Sequence, residues 1–590
     1  YEVAMTEFMH KMHSQLPAST VWGYNGTYPG PTIEATVGQP IEVKWINSLP
    51  AHHLFAIDYT ICGAEAWQPE VRTVVHLHGG HVPAESDGYP EAWFTAKNFG
   101  LYEYPNNQMG ATLWYHDHAM GISRLNVYAG LAGFYLLRDM SEVKFKLPSG
   151  VYEMPLMIQD KSFNKDGSLY YPEKMPSHFF GNTAVVNGKV WPYMNVEPTK
   201  YRFRVLNASN ARFFSLKLLE VSSVGTGSAI EIPGPAFYQI GTDGGFMQNP
   251  VMLNNPNDQN SPRLLLSPAE RADIIIDFSG YEGKNFILHN NAGTPFKTAG
   301  HPDEQVLLSD VMLFKVGYRA SVSAPPVPPV LHHSEKLLES SAKQVRTMTL
   351  EETMDDHGRS LTLLNGKHWE EPITEKIELG STEIWNIANL TNEIHPIHLH
   401  LVMFQILDRR PFDINEYKKS GKLIYTGPAV SPDKNEMGWK DTFRCNPGEV
   451  SRIIARFDDY SGMYMWHCHV LEHGDHEMMR PLEVASRAEG TQLDNDQATL
   501  SEIRSKFEVF QNYPNPFNPT TNINFYLPEA GNWTVRIYNI LGQELVEYSG
   551  YSPAGNVSRE WNASNEPSGL YLYTVEANGV VEKRKMMLMK

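Results

Sequence analysis

The sequence predicts an all-β chain, a series of β-sandwich domains, and three observations carry that prediction. Apolar residues fall in short or alternating runs rather than at helical spacing. Gly, Pro and Asn cut these runs, with 44 Gly and 40 Pro in the chain. One strand pattern also recurs at three well-separated places. At 590 residues, and about 100 to 200 residues per domain, the chain has room for three to five domains.

In order along the chain, the first domain is expected over 1–150. It opens with Gly30-Pro31-Thr32-Ile33-Glu34 and Pro40-Ile41-Glu42-Val43-Lys44-Trp45, where bulky apolar residues alternate with polar ones as on a half-buried strand. A second domain over 151–320 repeats the pattern at Tyr201-Arg202-Phe203-Arg204-Val205-Leu206. The stretch 321–345 is a connector, because Ala324-Pro325-Pro326-Val327-Pro328-Pro329 is stiff and extended. The third domain, 346–486, carries Glu383-Ile384-Trp385-Asn386-Ile387-Ala388. A polar linker, 487–505, then precedes a last segment, 506–590. That segment alternates at Trp533-Thr534-Val535-Arg536-Ile537-Tyr538 and Leu570-Tyr571-Leu572-Tyr573-Thr574-Val575, as a small β-sandwich would. It contains no His, Cys or Asp, so it lacks the usual soft metal ligands.

A net charge of −18 argues against nucleic acid as a partner, since phosphates need concentrated positive charge. No run approaches the roughly 20 apolar residues of a transmembrane segment. The chain starts at Tyr1 without a basic and apolar leader, so a secretion signal is expected to have been removed already. The three cysteines, Cys62, Cys445 and Cys468, are too few for a disulfide scaffold. A bridge between Cys62 and Cys445 is one reading of an exported chain, and two separate buried thiols is the other.

Chemistry concentrates in the histidines. With 23 His, chance gives about 0.9 His-x-His pairs, yet the chain has four: His76-Leu77-His78, His116-Asp117-His118, His398-Leu399-His400 and His467-Cys468-His469. A lone pair is more often a strand or loop feature than a ligand pair; four together are not. On a strand, residues i and i+2 share a face, so each pair is a two-pronged imidazole clamp. Cys468, between two clamp histidines, should then point to the opposite face, so that one strand reaches two metal centres. With His473 and Met478 downstream it offers the thiolate, imidazole and thioether of a blue-copper site, short of one His. His395 supplies it, because its odd offset from His398 turns it away from the His398 and His400 clamp. A closed structural zinc site would leave most of these histidines unexplained. A Cys-His hydrolase would leave all four clamps so.

These four segments resemble the copper-binding motifs of the multicopper oxidases, enzymes of the laccase kind with three cupredoxin domains. The opening Leu16-Pro17, Trp22-Gly23-Tyr24-Asn25-Gly26, Pro29-Gly30-Pro31-Thr32-Ile33-Glu34, Val75-His76-Leu77-His78-Gly79-Gly80 and Ser86-Asp87-Gly88-Tyr89-Pro90-Glu91-Ala92-Trp93 is similar especially to the bacterial spore-coat laccase branch, which also holds bilirubin oxidase. The resemblance runs to about Ala485 and implies three cupredoxin-like Greek-key sandwiches. It implies four copper ions: a type 1 copper on His395, Cys468, His473 and axial Met478; a type 2 copper on His76 and His398; and a type 3 pair on His78, His116, His118, His400, His467 and His469. It assigns Asp87 to proton relay, where the sequence alone would make it a turn residue of Ser86-Asp87-Gly88, and leaves Asp117 structural. The chain departs from that branch at Gly474, where relatives usually carry an acid.

The tail segment Phe510-Gln511-Asn512-Tyr513-Pro514-Asn515-Pro516-Phe517-Asn518-Pro519-Thr520-Thr521, with Ser568-Gly569-Leu570-Tyr571, is similar to the C-terminal sorting domain of type IX secretion. It implies delivery outside the cell or to its surface by that machinery. The expected activity is one-electron oxidation of phenols and aromatic amines coupled to reduction of dioxygen to water, by a monomer. Alternatives are a metallo-oxidase acting on Cu(I), Mn(II) or Fe(II), bilirubin oxidase-like activity, or a scaffold that binds no copper. The metallo-oxidase would want a carboxylate or Met cluster beside the type 1 histidines; the 24 Met are scattered along the sequence.

Overall fold

In the computed structural model, strands dominate because the alternating runs bury one face each. In Gly531–Tyr538, for example, buried positions recur at every second residue. The structure describes residues 1–221, 232–258, 260–297, 308–323, 325–333, 335–485, 507–509, 512, 515, 517–528, 530–552, 555–577 and 579–590. Two compact units make up the chain, Tyr1–Arg487 and Ala488–Lys590. The polar linker expected over 487–505 lies outside the described residues.

Within the first unit, sheets draw their strands from successive stretches of sequence. The stretch from Glu2 to Arg138 forms two four-stranded sheets. That from Glu153 to Val316 forms a seven-stranded and a five-stranded sheet, and that from Gln344 to Ala485 two five-stranded sheets. Each stretch has its own apolar core, around Trp45 and Tyr115, around Phe203 and Phe314, and around Trp385 and Trp466 respectively. Sandwiches of this kind close their cores by pairing inward faces.

Two sheets position the histidines. The first holds strands β1 (Gly30–Thr36), β2 (Val75–His78), β3 (Thr112–Asp117) and β4 (Ala132–Arg138) in the order β1-β4-β3-β2. A short helix, α1 (Ser123–Ala129), joins β3 to β4. The second holds β5 (Glu375–Glu378), β6 (His395–Leu399), β7 (Thr442–Cys445), β8 (Gly462–Cys468) and β9 (Met479–Ala485) in the order β5-β9-β8-β6-β7, with helix α2 (Leu471–Asp475) between β8 and β9. Every residue of β2, β3 and β6 is buried, so both faces of these strands are covered rather than one.

The second unit pairs a three-stranded with a four-stranded sheet around Trp533, Trp561 and Tyr573, as its alternation predicts. Among the described residues no helix is long and apolar enough to cross a membrane. The bridge between Cys62 and Cys445 is not formed: all three cysteines are free. Cys445 is fully buried at the end of β7, opposite His395, where its thiol faces the core of its own sheet, whereas Cys62 lies half-buried in a loop of the first stretch.

Candidate metal centre

Antiparallel register brings the clamps into pairs before any long-range packing is considered. In β2 and β3, His76 stands opposite His116; in β6 and β8, His398 stands opposite His467. The two sheets then face each other. His78 stacks on His398 with ring centroids 3.7 Å apart, and His76 stacks on His400 at 3.8 Å. Ring nitrogens converge: His76 Nε2 lies 3.4 Å from His398 Nε2, His116 Nε2 3.5 Å from His78 Nδ1, and His467 Nε2 3.2 Å from both His118 Nε2 and His400 Nε2. Three ligand groups result: His76 with His78 and His398; His78 with His116 and His469; and His118 with His400 and His467.

The outward nitrogens explain why the inward ones are lone pairs. His76 Nδ1 donates to the Asp87 carbonyl (2.6 Å), His398 Nδ1 to Asp441 (2.8 Å), His116 Nδ1 to Asp117 (2.9 Å) and His467 Nδ1 to Cys468 (3.0 Å). A backbone carbonyl can only accept, so each of these rings keeps an unprotonated Nε2 for the centre. His78 is turned round, its Nε2 facing Asp441 Oδ1 at 3.1 Å. Burial, followed by the neighbouring rings, pushes these histidines far down, with His116 and His398 at about 3. They are therefore neutral imidazoles. Neutral acceptor nitrogens facing one another at 3.2–3.5 Å repel unless a cation lies among them. Among the described residues His469 has neither ring nitrogen partnered, and His118 lacks a partner at Nδ1, although both are buried. Such a donor set fits transition-metal ions.

The second centre lies on the other face of β8. Cys468 Sγ is 3.7 Å from His395 Nδ1 and 3.8 Å from His473 Nδ1, and all three are buried. The Met478 backbone is tied to both ends of this loop: its N–H donates to the His473 carbonyl (2.9 Å) and its carbonyl accepts from Cys468 N (3.0 Å). Met478 packs in the same cluster as Cys468, whereas Met479 joins Met120, Met465 and Trp369 elsewhere. Thiolate, two imidazoles and a nearby thioether are the donor set that suits copper.

Comparison with known proteins decides the family. Two multicopper oxidase models match, at residues 7–60 with 68–142 and at 339–488. A laccase of Bacillus subtilis (strain 168) is 48% identical over 508 residues, covering 82% of this chain and 94% of its own. The chain belongs to the multicopper oxidases. A laccase of Haloferax volcanii is 41% identical over 505 residues, covering 82% of this chain and 81% of its own. Among solved structures, the McoA multicopper oxidase of Aquifex aeolicus superposes with a TM-score of 0.65 at 27% identity, covering 82% of this chain and 96% of its own. The sandwiches of this multicopper oxidase are accordingly cupredoxin-like, it is an oxidoreductase, and its family implies copper binding. Its segment 511–589 matches a secretion system C-terminal sorting domain, so the oxidase carries a type IX export tail.

Several residues of the oxidase site escaped the sequence reading. Asp441 meets His78 and Thr442 and is gripped by Arg271, which is in turn 3.7 Å from Asp243. No spacing signals this, since His78, Arg271 and Asp441 come from three different stretches. Glu393 and His178 are the other omission: Glu393 Oε2 is 3.2 Å from His178 Nε2 and 4.0 Å from His473 Nε2, on the partly exposed edge of the Cys468 centre. Here the only signal was proximity to His395.

Asp87 is more than a turn residue. It is wholly buried, with Oδ2 2.8 Å from His400 Nδ1 and Oδ1 3.6 Å from His76 Nδ1 but without a hydrogen-bond partner among the described residues. Asp117 accepts from the Val74 and Ala119 N–H groups and from Asn126, which ties the strand end together. Gly474 lies in α2 outside the left-handed region, and a Cβ there would meet the Cys468 carbonyl at 3.1 Å. Of the neighbouring acids, Asp475 is held by Arg124 and by the Ser123 and Arg124 N–H groups. Glu472 accepts from Tyr171 and Asn210 on Oε1 and leaves Oε2 free of partners among the described residues.

Proposed function

We propose that this oxidase is laccase-like, withdrawing single electrons from phenols and aromatic amines and delivering them to dioxygen, with water as product. The observation that carries the reading is the segment His467-Cys468-His469, whose thiol belongs to one ligand group while its flanking imidazoles belong to two others. Four copper ions would supply the electron transfer and oxygen chemistry, one on His395, Cys468, His473 and Met478, one on His76 and His398, and two on His78, His116, His118, His400, His467 and His469.

The chain's own residues do the rest. His473, the most exposed of the imidazole groups at 7%, offers the edge at which a bulky donor can stay near the surface. The backbone of Cys468 joins that edge to the buried rings by the shortest covalent route. Burial of the histidine cluster excludes water from the oxygen-reducing end. Asp87, 2.8 Å from His400 Nδ1, is the candidate proton relay: burial pushes its carboxyl well above the usual carboxylate range, which favours proton uptake, and water formation consumes protons. The sorting domain at 511–589 fits an oxidase that works outside the cell or at its surface.

Replacing Cys468 by Ser tests the assignment: a serine oxygen is too hard to stand in for thiolate. Intense visible absorption should vanish and oxygen uptake on a phenolic donor should fall by at least 100-fold, about 3 kcal/mol of lost catalysis. A variant that kept its colour and turnover would refute it.

A second reading, the metallo-oxidase, gains support from Glu393. Its carboxylate is held low mainly by His178 and His395 against the cost of burial, and it lies 4.0 Å from His473 Nε2. An anionic oxygen beside the electron-accepting edge favours a cationic donor. On this reading Glu393→Gln lowers kcat/KM for Mn(II) or Fe(II) roughly tenfold, in line with one charge at surface screening, and leaves neutral phenols within about twofold. Equal losses for both donors would exclude it.

A further inference from the structure

A second set of metal-ligating side chains gathers away from the copper ligands, in a surface cleft of about 460 Å³ lined by Cys62, Glu65, Asp355, His368, His476 and Glu477. At its centre is the Glu477 carboxylate. His368 Nδ1 lies 2.6 Å from Glu477 Oε2, and Cys62 lines the same cleft, with the Glu477 carboxylate acting on its thiol. A second pair stands beside it, with His476 Nε2 3.2 Å from Asp355 Oδ2. Asp355 is already shared with Arg359 at 2.7 Å, so the residues open to a newcomer are Cys62, His368 and Glu477. They come from three separate stretches of chain, and Glu477 is held in the left-handed region at φ 67°.

We propose that Cys62, His368 and Glu477 form a site for one borderline transition cation of the Zn(II) or Co(II) class, separate from the copper ligands. The donors are a thiol, an imidazole and a carboxylate, three ligand types that such ions take together with a water in a four-coordinate shell. On binding, the Cys62 S–H bond breaks, an S–metal bond forms and the proton leaves to solvent. Burial and then the nearby Glu477, Glu65 and Glu370 hold the thiol up at about 12. The same negative surroundings that disfavour a bare thiolate favour a cation. A purely structural account, in which Glu477 merely pairs with His368, predicts no cation binding. His368, with its side chain 52% exposed, is open to solvent on one side, so the cleft has an entry path. Occupancy would tie the Cys62 loop to the loop that carries His473 and Met478.

The test is a Co(II) titration of the copper-loaded full chain, with bound metal counted by elemental analysis and thiolate-to-Co(II) absorption followed in the near ultraviolet. Cys468 belongs to the blue-copper ligand group and Cys445 is fully buried, so a new thiolate band reports on Cys62. One Co(II) per chain with such a band is expected. The band should vanish in Cys62→Ser, and the Kd should rise at least tenfold in His368→Ala. Unchanged visible copper absorption in both variants shows that they fold. No bound cobalt, cobalt without the thiolate band, or a band that persists in Cys62→Ser would overturn the proposal.

Discussion

At the scale of single residues, the oxidase places charge where burial should forbid it and satisfies it locally. Lys161 shows the cost. It is fully buried, its Nζ donates to the Tyr128 carbonyl at 2.6 Å, and burial pushes it down from the ordinary lysine value to about 7. Between about pH 7 and the ordinary lysine range the unfolded chain holds this proton and the folded chain does not. Unfolding then takes up a proton, and stability rises with pH across that window. The melting temperature of the copper-loaded protein should therefore climb from pH 7 towards pH 10, and Lys161→Met should flatten the climb. Parallel curves for the two proteins would show that another group sets the slope. Cys468 works by the opposite means: its flanking histidines and its own thiol share one short strand end, and alternation alone sends them to different centres.

At the scale of elements, the facing sheets are locked by ions rather than by apolar contact alone. Arg271 reaches Asp441 from the middle stretch of sequence, and Asp441 meets His78 of β2 and lies next to β7. Lys440 adds pairs to Asp243 and Glu270 at 2.8 and 3.0 Å. All of these are buried. Removing one partner of a buried pair leaves an uncompensated charge, at a cost of about 3–5 kcal/mol. Arg271→Met should thus lower the urea midpoint of the metal-free protein. It should also reduce copper retained at the His76 and His398 position, which electron paramagnetic resonance resolves. Retention of both at their original values would show that Asp441 is held by Thr442 and backbone alone. The register His398↔His467 and His76↔His116 makes the strand pair, not the single clamp, the unit that presents ligands.

At the scale of the whole molecule, the proposed copper ligands all lie in Tyr1–Arg487 and the sorting domain matches within Ala488–Lys590. The second unit has its own core around Trp533 and Trp561. Deleting residues 506–590 should therefore leave copper content and specific activity within about 20% of the full chain, since no ligand or core residue of the first unit is removed. Delivery outside the cell should be lost. A purified truncation with much reduced turnover would show that the tail supports the catalytic unit.

Alternation of side chains determined much from sequence alone: the all-β class, the four clamps, and the facing of Cys468 and His395 away from them all follow from periods of two and short offsets within one strand. These are local properties, and local geometry is nearly independent of the rest of the chain. Tertiary structure alone decided what lies between strands distant in sequence. It stacks His78 on His398 and His76 on His400, buries Asp87 against His400, brings Arg271 to Asp441, and sets Glu393 and His178 at the exposed edge of His473. It also keeps Cys62 and Cys445 as separate thiols and instead gathers Cys62, His368 and Glu477 into one cleft. No periodicity encodes such meetings, because sheet-to-sheet packing depends on the summed shape of two faces, and a single residue's neighbours across that gap leave no trace in its own stretch of sequence.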